Sequence, residues 1–69
     1  MSNTVYKHIE ITGTSSKGVD DAIQSAIARA SETLRKMQWF EVVEIRGRID
    51  NDKVAQWQVT LKIGFSLED

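Results

Sequence analysis

The chain of 69 residues has no cysteine and no proline. Lacking cysteine, it has no disulfide, no thiolate metal cluster and no thiol nucleophile. Lacking proline, it has no polyproline motif and does without one common loop stiffener. An excess of one charge is also missing. Nine Lys+Arg stand against ten Asp+Glu, for a formal net charge of −1. The cations are spread along the chain, which gives neither the basic excess nor the basic stripe of a nucleic-acid binder. No apolar run approaches the ~20 residues of a membrane-spanning helix. The opening Met1-Ser2-Asn3-Thr4 has neither the basic region nor the apolar core of a secretory leader. A cytoplasmic protein with no nucleic-acid and no membrane partner is the expectation.

Hydrophobic residues make up 41% of the chain and charged residues 28%, ordinary values for a globular protein. One domain over residues 1–69 is expected. Ordering each residue costs roughly 1–2 kcal/mol of backbone entropy, and a short chain has little core with which to offset it. Domains of this size lean on disulfides, metals or partner chains, and cysteine-based staples are excluded, so self-association comes first.

The pattern along the chain predicts four elements. From Thr4 to Thr12, Val5, Ile9 and Ile11 alternate with Tyr6, His8, Glu10 and Thr12, the period of a strand. Gly13 is expected to break it, and Thr14-Ser15-Ser16 supplies side chains able to cap a helix. From about Ser16 to Lys36 the period becomes 3.6: Val19, Ala22, Ile23, Ala26, Ile27, Ala30, Leu34 and Met37 fall on one stripe. Asp20 and Asp21 favour the helix start, and Arg35 and Lys36 its end. A second strand is expected from about Phe40 to Asp50, with Val43, Ile45 and Ile49 on one parity and Phe40, Val42, Glu44, Arg46 and Arg48 on the other. Asp50-Asn51-Asp52-Lys53 reads as a turn. A third strand, about Val54 to Leu67, places Ala55, Trp57, Val59, Leu61, Ile63, Phe65 and Leu67 on one face and Gln56, Gln58, Thr60 and Lys62 on the other.

The order β-α-β-β with a terminal hairpin implies an α+β domain: a three-stranded antiparallel sheet wrapped on one helix, the third strand in the middle. Two features of such a unit do not close on themselves. The hairpin strands are far longer than the usual 5–6 residues, and the sheet has two edges and one uncovered face. Both are resolved when copies pack together.

Chemistry is sparse. His8 is the one histidine and shares a strand face with Glu10; it reads as a solvated or hydrogen-bonded strand residue rather than a catalytic one. No HExxH, GxSxG, P-loop or GxGxxG pattern occurs, and no catalytic residue is assigned. The polar face of the hairpin is more informative, since Gln56, Gln58, Thr60 and Lys62 lie with Glu44, Arg46 and Arg48. A glutamine amide offers an acceptor and two donors in one plane, suited to the edge of a flat heterocycle. Trp57 has core parity. Trp39, between helix end and strand start, has three readings: core, interface or ligand platform.

These residues together resemble a known family. GTSSKGVDDAIQSAIARASETLRKMQWFEVVEIRGRID, then the turn, then VAQWQVTLKIGFSLED, is similar to the dodecins over essentially the whole chain. The most specific segments are VYKHIEITGTS, AIQSAIARASETL, WFEVVEIRG and WQVTLKIGF. The resemblance implies a hollow homododecamer that binds flavin rather than turning over a substrate, with stacked flavin pairs sandwiched by tryptophans at subunit contacts. It implies Trp39 as the stacking residue, Gln58 as the partner of the flavin's pyrimidine edge, and Arg46 as an arginine typical of bacterial members, which favour FMN over riboflavin. Coenzyme A and cations are further ligands in the family; no motif here fixes their positions. The expected function is storage of FMN or riboflavin in a form that limits its photochemistry. The alternative is an oligomeric shell or interaction module that carries no flavin.

Overall fold

The computed structural model describes residues 3–67. The outermost residues of the expected domain (1, 2, 68 and 69) lie outside that range. The elements are β1 (Tyr6–Ser15), α1 (Val19–Ala30), β2 (Met37–Asp50) and β3 (Lys53–Ser66). They form one three-stranded sheet in the order β1-β3-β2, with both pairings antiparallel. The β-α-β-β order and the central third strand are as the sequence predicts.

The core follows from two periodicities meeting. Ala22, Ala26 and Ala30 on α1 are buried against Val59, Leu61 and Ile63 of β3, whose exposure is 0%, 0% and 1%. Ile9, Ile11, Val19, Ile23, Ile27, Leu34 and Met37 pack around them. Small residues on the helix stripe let α1 lie close to the sheet. At Gly13 the contact is closest: a Cβ there would meet the Ala22 carbonyl and would stand 2.8 Å from the Ala26 methyl. Gly13 therefore does not break the strand. It pairs with Val59 inside β1, which runs on to Ser15. A strand glycine of this kind marks a close backbone approach.

Other boundaries move for identifiable reasons. The helix is shorter than its apolar stripe. The backbone N–H groups of Thr33 and Leu34 both donate to the Ala30 carbonyl, at 3.1 and 2.9 Å, closing the helix there. Lys36, at φ 63°, then turns the chain into β2 three residues earlier than expected. Leu34 and Met37 still pack on the core from outside the helix. At the other end the N-cap is Gly18, and no side chain caps it. Ser15 Oγ instead accepts from the N–H of Lys17 at 2.9 Å and donates to Asp21 Oδ2 at 2.6 Å, tying the loop to the first helical turn. The hairpin turn is as expected. Asn51 and Asp52 both have positive φ, 52° and 61°, the arrangement whose twist matches paired strands.

The helix covers β1 and β3, not β2. Apart from Met37, every residue of β2 is exposed, and the chain extends 56 × 20 × 14 Å. A 12-residue helix spans roughly 18 Å, and a 14-residue strand roughly 46 Å. The hairpin therefore projects far beyond the core. Phe40 (48% exposed), Val43 (47%), Ile45 (52%) and Ile49 (74%) lie along it.

Candidate functional site

The sheet face turned away from α1 is built around β3. Gln58, Thr60, Lys62 and Gly64 form its central row. Thr14, Thr12, Glu10 and His8 of β1 stand opposite them in that order. Arg46, Glu44, Glu41 and Trp39 of β2 flank them on the other side, again in order. Directly opposed residues share a face. Trp39, Arg46 and Gln58 therefore all lie on the side remote from the helix.

Strict alternation would put Trp39 on the opposite side from Arg46, because seven positions separate them. The structure removes the conflict with a register shift between Val42 and Glu44 that leaves Val43 without an opposed partner. A bulge of this kind inserts one residue and resets the parity upstream of it. Phe40 and Val42, assigned by alternation to the Arg46 face, stand instead opposite Ile63 and Leu61 on the helix side. A second shift, between Met37 and Trp39, lies where the strand begins.

Trp39 lies across the central strand. A Cβ on Gly64 would overlap the face of the indole, 2.6 Å from Cδ2 and closer still to Cε2 and Cζ2. Beyond Gly64 the ring meets β1. Tyr6 approaches it edge-on, with centroids 6.0 Å apart and planes at 68°, and His8 lies 6.3 Å away with planes at 41°. The indole is thus seated on backbone and braced by two rings, and it remains 39% exposed. His8 serves here as a neighbour of Trp39. Among the described residues no group of three or more His, Asp or Glu gathers to hold a metal.

At the other end of the face, Arg46 stands directly opposite Gln58. The guanidinium donates to Thr60 Oγ1 at 3.2 Å and pairs with Glu44 Oε1. Thr60 Oγ1 is also within 2.8 Å of Thr12 Oγ1, so a polar chain crosses all three strands. Gln58 donates through Nε2 to Gln56 Oε1 at 3.0 Å, which orients its amide. Trp57 stands opposite Ser15 and Gly47 on the helix side, as its parity predicts.

The two ends are separate. Gly64, beneath Trp39, is six positions along β3 from Gln58, or roughly 20 Å at ~3.3 Å per residue. One protomer brings Arg46 and Gln58 together and holds Trp39 apart from them. A concavity of about 530 Å³ between β1 and α1, bordered by Ile11, Gly13, Ala26 and Arg29, contains none of the three. The residues missed by reading the sequence are Gly64, Tyr6 and His8 as the seat of Trp39. The available signal was a glycine inside an otherwise regular strand.

A minimal β-α-β-β protomer with an open hairpin and a seated indole on the uncovered sheet face is the class of protein that the fold defines. The model of the family described as Dodecin matches residues 5–68. The dodecin of Thermus thermophilus is 54% identical over 65 residues, 94% of each chain. The solved dodecin of Streptomyces coelicolor superposes with a TM-score of 0.92 at 55% identity, covering 100% of this chain and 99% of that one. The dodecin of Streptomyces davaonensis gives 0.91 at 51% identity, covering 99% and 100%. The chain belongs to the dodecin family, a family of small flavin-binding proteins that assemble as dodecamers.

Proposed function

We propose that this protein is a flavin store: a homododecamer that holds FMN, with riboflavin as a second ligand, as stacked pairs between Trp39 side chains at contacts between copies. The observation that carries this is the arrangement on the uncovered sheet face. Trp39 presents an exposed indole on the same side as Gln58 and Arg46, yet roughly 20 Å along the strand from them. A flat ring that touches both ends must take Trp39 from one copy and Gln58 from another. A two-fold axis does this twice at once, because residue i of one copy meets residue j of the other and the reverse. The same axis would place two indoles face to face across a pair of ligands.

The residues fit such a ligand chemically. A bound flavin supplies a flat aromatic system with an N–H between two carbonyls on one edge. The Trp39 indole offers a stacking face, and the Gln58 amide matches that edge with both donor and acceptor. Arg46 adds a guanidinium on the same face, and its charge-assisted bond to a phosphate favours FMN over riboflavin. An indole against an excited flavin donates an electron and quenches it. A second flavin on the other face takes the space a substrate would need. Sequestration in a dark, unreactive form suits this arrangement better than turnover.

The test is direct. Protein incubated with FMN and freed of excess should be yellow, with flavin fluorescence quenched and restored on denaturation. Assembled protein that stays colourless and leaves added FMN fluorescent would instead be a shell without flavin.

A further inference from the structure

The structure assigns a positioning role to Gly64: by lacking a side chain it lets the Trp39 indole lie flat across the central strand, and so sets the width of the stacking site. The inference rests on the flavin-stacking function proposed above and adds a residue to it. Gly64 is buried, stands opposite Trp39 in register, and has His8 opposite it on the other side. Its φ is not positive, so backbone conformation does not require glycine at this position. The space above it does. Three indole atoms, Cδ2, Cε2 and Cζ2, occupy the volume of the missing Cβ, the farthest of them at 2.6 Å. Carbon–carbon contacts settle near 3.5–4.0 Å, so one methyl would lift the ring by roughly an ångström or more.

The lift cannot be absorbed sideways without breaking the bracing. Tyr6 meets the indole edge-on at 6.0 Å and His8 lies tilted against it at 6.3 Å. A ring raised off Gly64 loses that alignment and tips. In a two-fold site both indoles rise, so the gap between them changes by about twice the single displacement. A stack of flat rings tolerates little of this, because its attraction decays within a fraction of an ångström to an ångström of the contact distance. Gly64 thus acts on the ligand through Trp39.

The test is a double-mutant cycle of Gly64→Ala and Trp39→Ala, in which coupling isolates the shared contact. FMN affinity and assembly are measured for each protein, with near-UV circular dichroism of the flavin-free forms in a Trp57→Phe background, where Trp39 is the one indole. Gly64→Ala alone should change the Trp39 band and weaken FMN at least tenfold in an assembled protein. Added to Trp39→Ala, it should change FMN affinity less than twofold. Should Gly64→Ala fail to fold, recovery of the fold by the added Trp39→Ala supports the seat, and failure of both overturns it. Equal loss of affinity with and without Trp39, or an unchanged indole band, also overturns it. If the unsubstituted protein binds no FMN, the storage function falls, while the indole band and rescue of folding still decide the role of Gly64.

Discussion

Trp39, Gln58 and Arg46 should fail in different ways when removed. Trp39→Ala takes away a flat contact whose aromatic pairing is worth about 0.5–1.5 kcal/mol beyond area burial. It should weaken FMN and riboflavin alike and return part of the bound flavin's fluorescence. Gln58→Ala should cost affinity with little return of fluorescence, since the indole quencher stays. Titrating each variant with both flavins and following emission separates the two; unchanged quenching in Trp39→Ala would move the stacking role elsewhere. Arg46 is held by Glu44 and Thr60, so a phosphate must compete with a carboxylate already in place. Arg46→Ala should therefore weaken FMN more than riboflavin, and Glu44→Gln should tighten FMN selectively. Exposed ion pairs contribute ~0–1 kcal/mol to stability, so neither substitution should shift the melting temperature much. Equal effects on both flavins would show that the guanidinium acts on the ring and not on the phosphate. At this scale the sequence exposed the chemical types but not their seat. Gln58 and Arg46 are legible because both lie in regular alternation, whereas the support of Trp39 depends on an atom that is missing from Gly64.

Alternation and the 3.6 period predicted all four elements, and the buried rows Val59-Leu61-Ile63 and Ala22-Ala26-Ala30 are the ones the periodicities mark. The misplacements have a common cause: pattern reports which side chains want burial, not how the backbone satisfies its hydrogen bonds. Leu34 and Met37 continue the helical stripe, yet the chain leaves the helix at Ala30 and delivers both to the core by a turn. Val43 looks like an ordinary apolar strand position, and the shift beside it decides which face Trp39 occupies. Gly13 reads as a stop and is instead the point where α1 rests on β1. Its substitution tests this packing. Overpacking a tight contact costs typically 1–3 kcal/mol, and here the obstacle includes the Ala22 carbonyl, which is backbone and cannot rotate away. Gly13→Ala should lower the unfolding free energy by about that amount, read as a lower midpoint in denaturant titration of the assembled protein at fixed concentration. Gly18→Ala, where an added methyl meets nothing within 4 Å, is the control and should leave packing undisturbed. A Gly13→Ala midpoint equal to that of the unsubstituted protein would mean that α1 can move off Gly13 at little cost.

For the molecule as a whole, the hairpin is the part that one chain leaves unfinished. The buried core lies where α1 meets β1 and β3, while β2 runs past it with Phe40, Val43, Ile45 and Ile49 exposed. These four apolar side chains all lie on one strand and are exposed in the single chain, and burying one such side chain is worth about 1.5–3 kcal/mol. Assembly and ligand binding should then be one event, because Trp39 and Gln58 of a single protomer lie too far apart to hold the same ring. Light scattering coupled to size exclusion should give about twelve chains for the unsubstituted protein. Ile45→Lys tests the linkage. Ile45 stands opposite Val59 on the helix side of the sheet, is 52% exposed and belongs to neither end of the ligand face. A lysine there leaves Trp39, Gln58 and Arg46 intact and places a charge on apolar surface that the single chain leaves exposed. The variant should retain its secondary structure, elute at lower mass and lose flavin binding, and raising the protein concentration should restore mass and quenching together. A folded monomer that still binds and quenches one flavin per chain would show that the site is complete within one copy, and the two-fold arrangement of Trp39 and Gln58 would have to be abandoned.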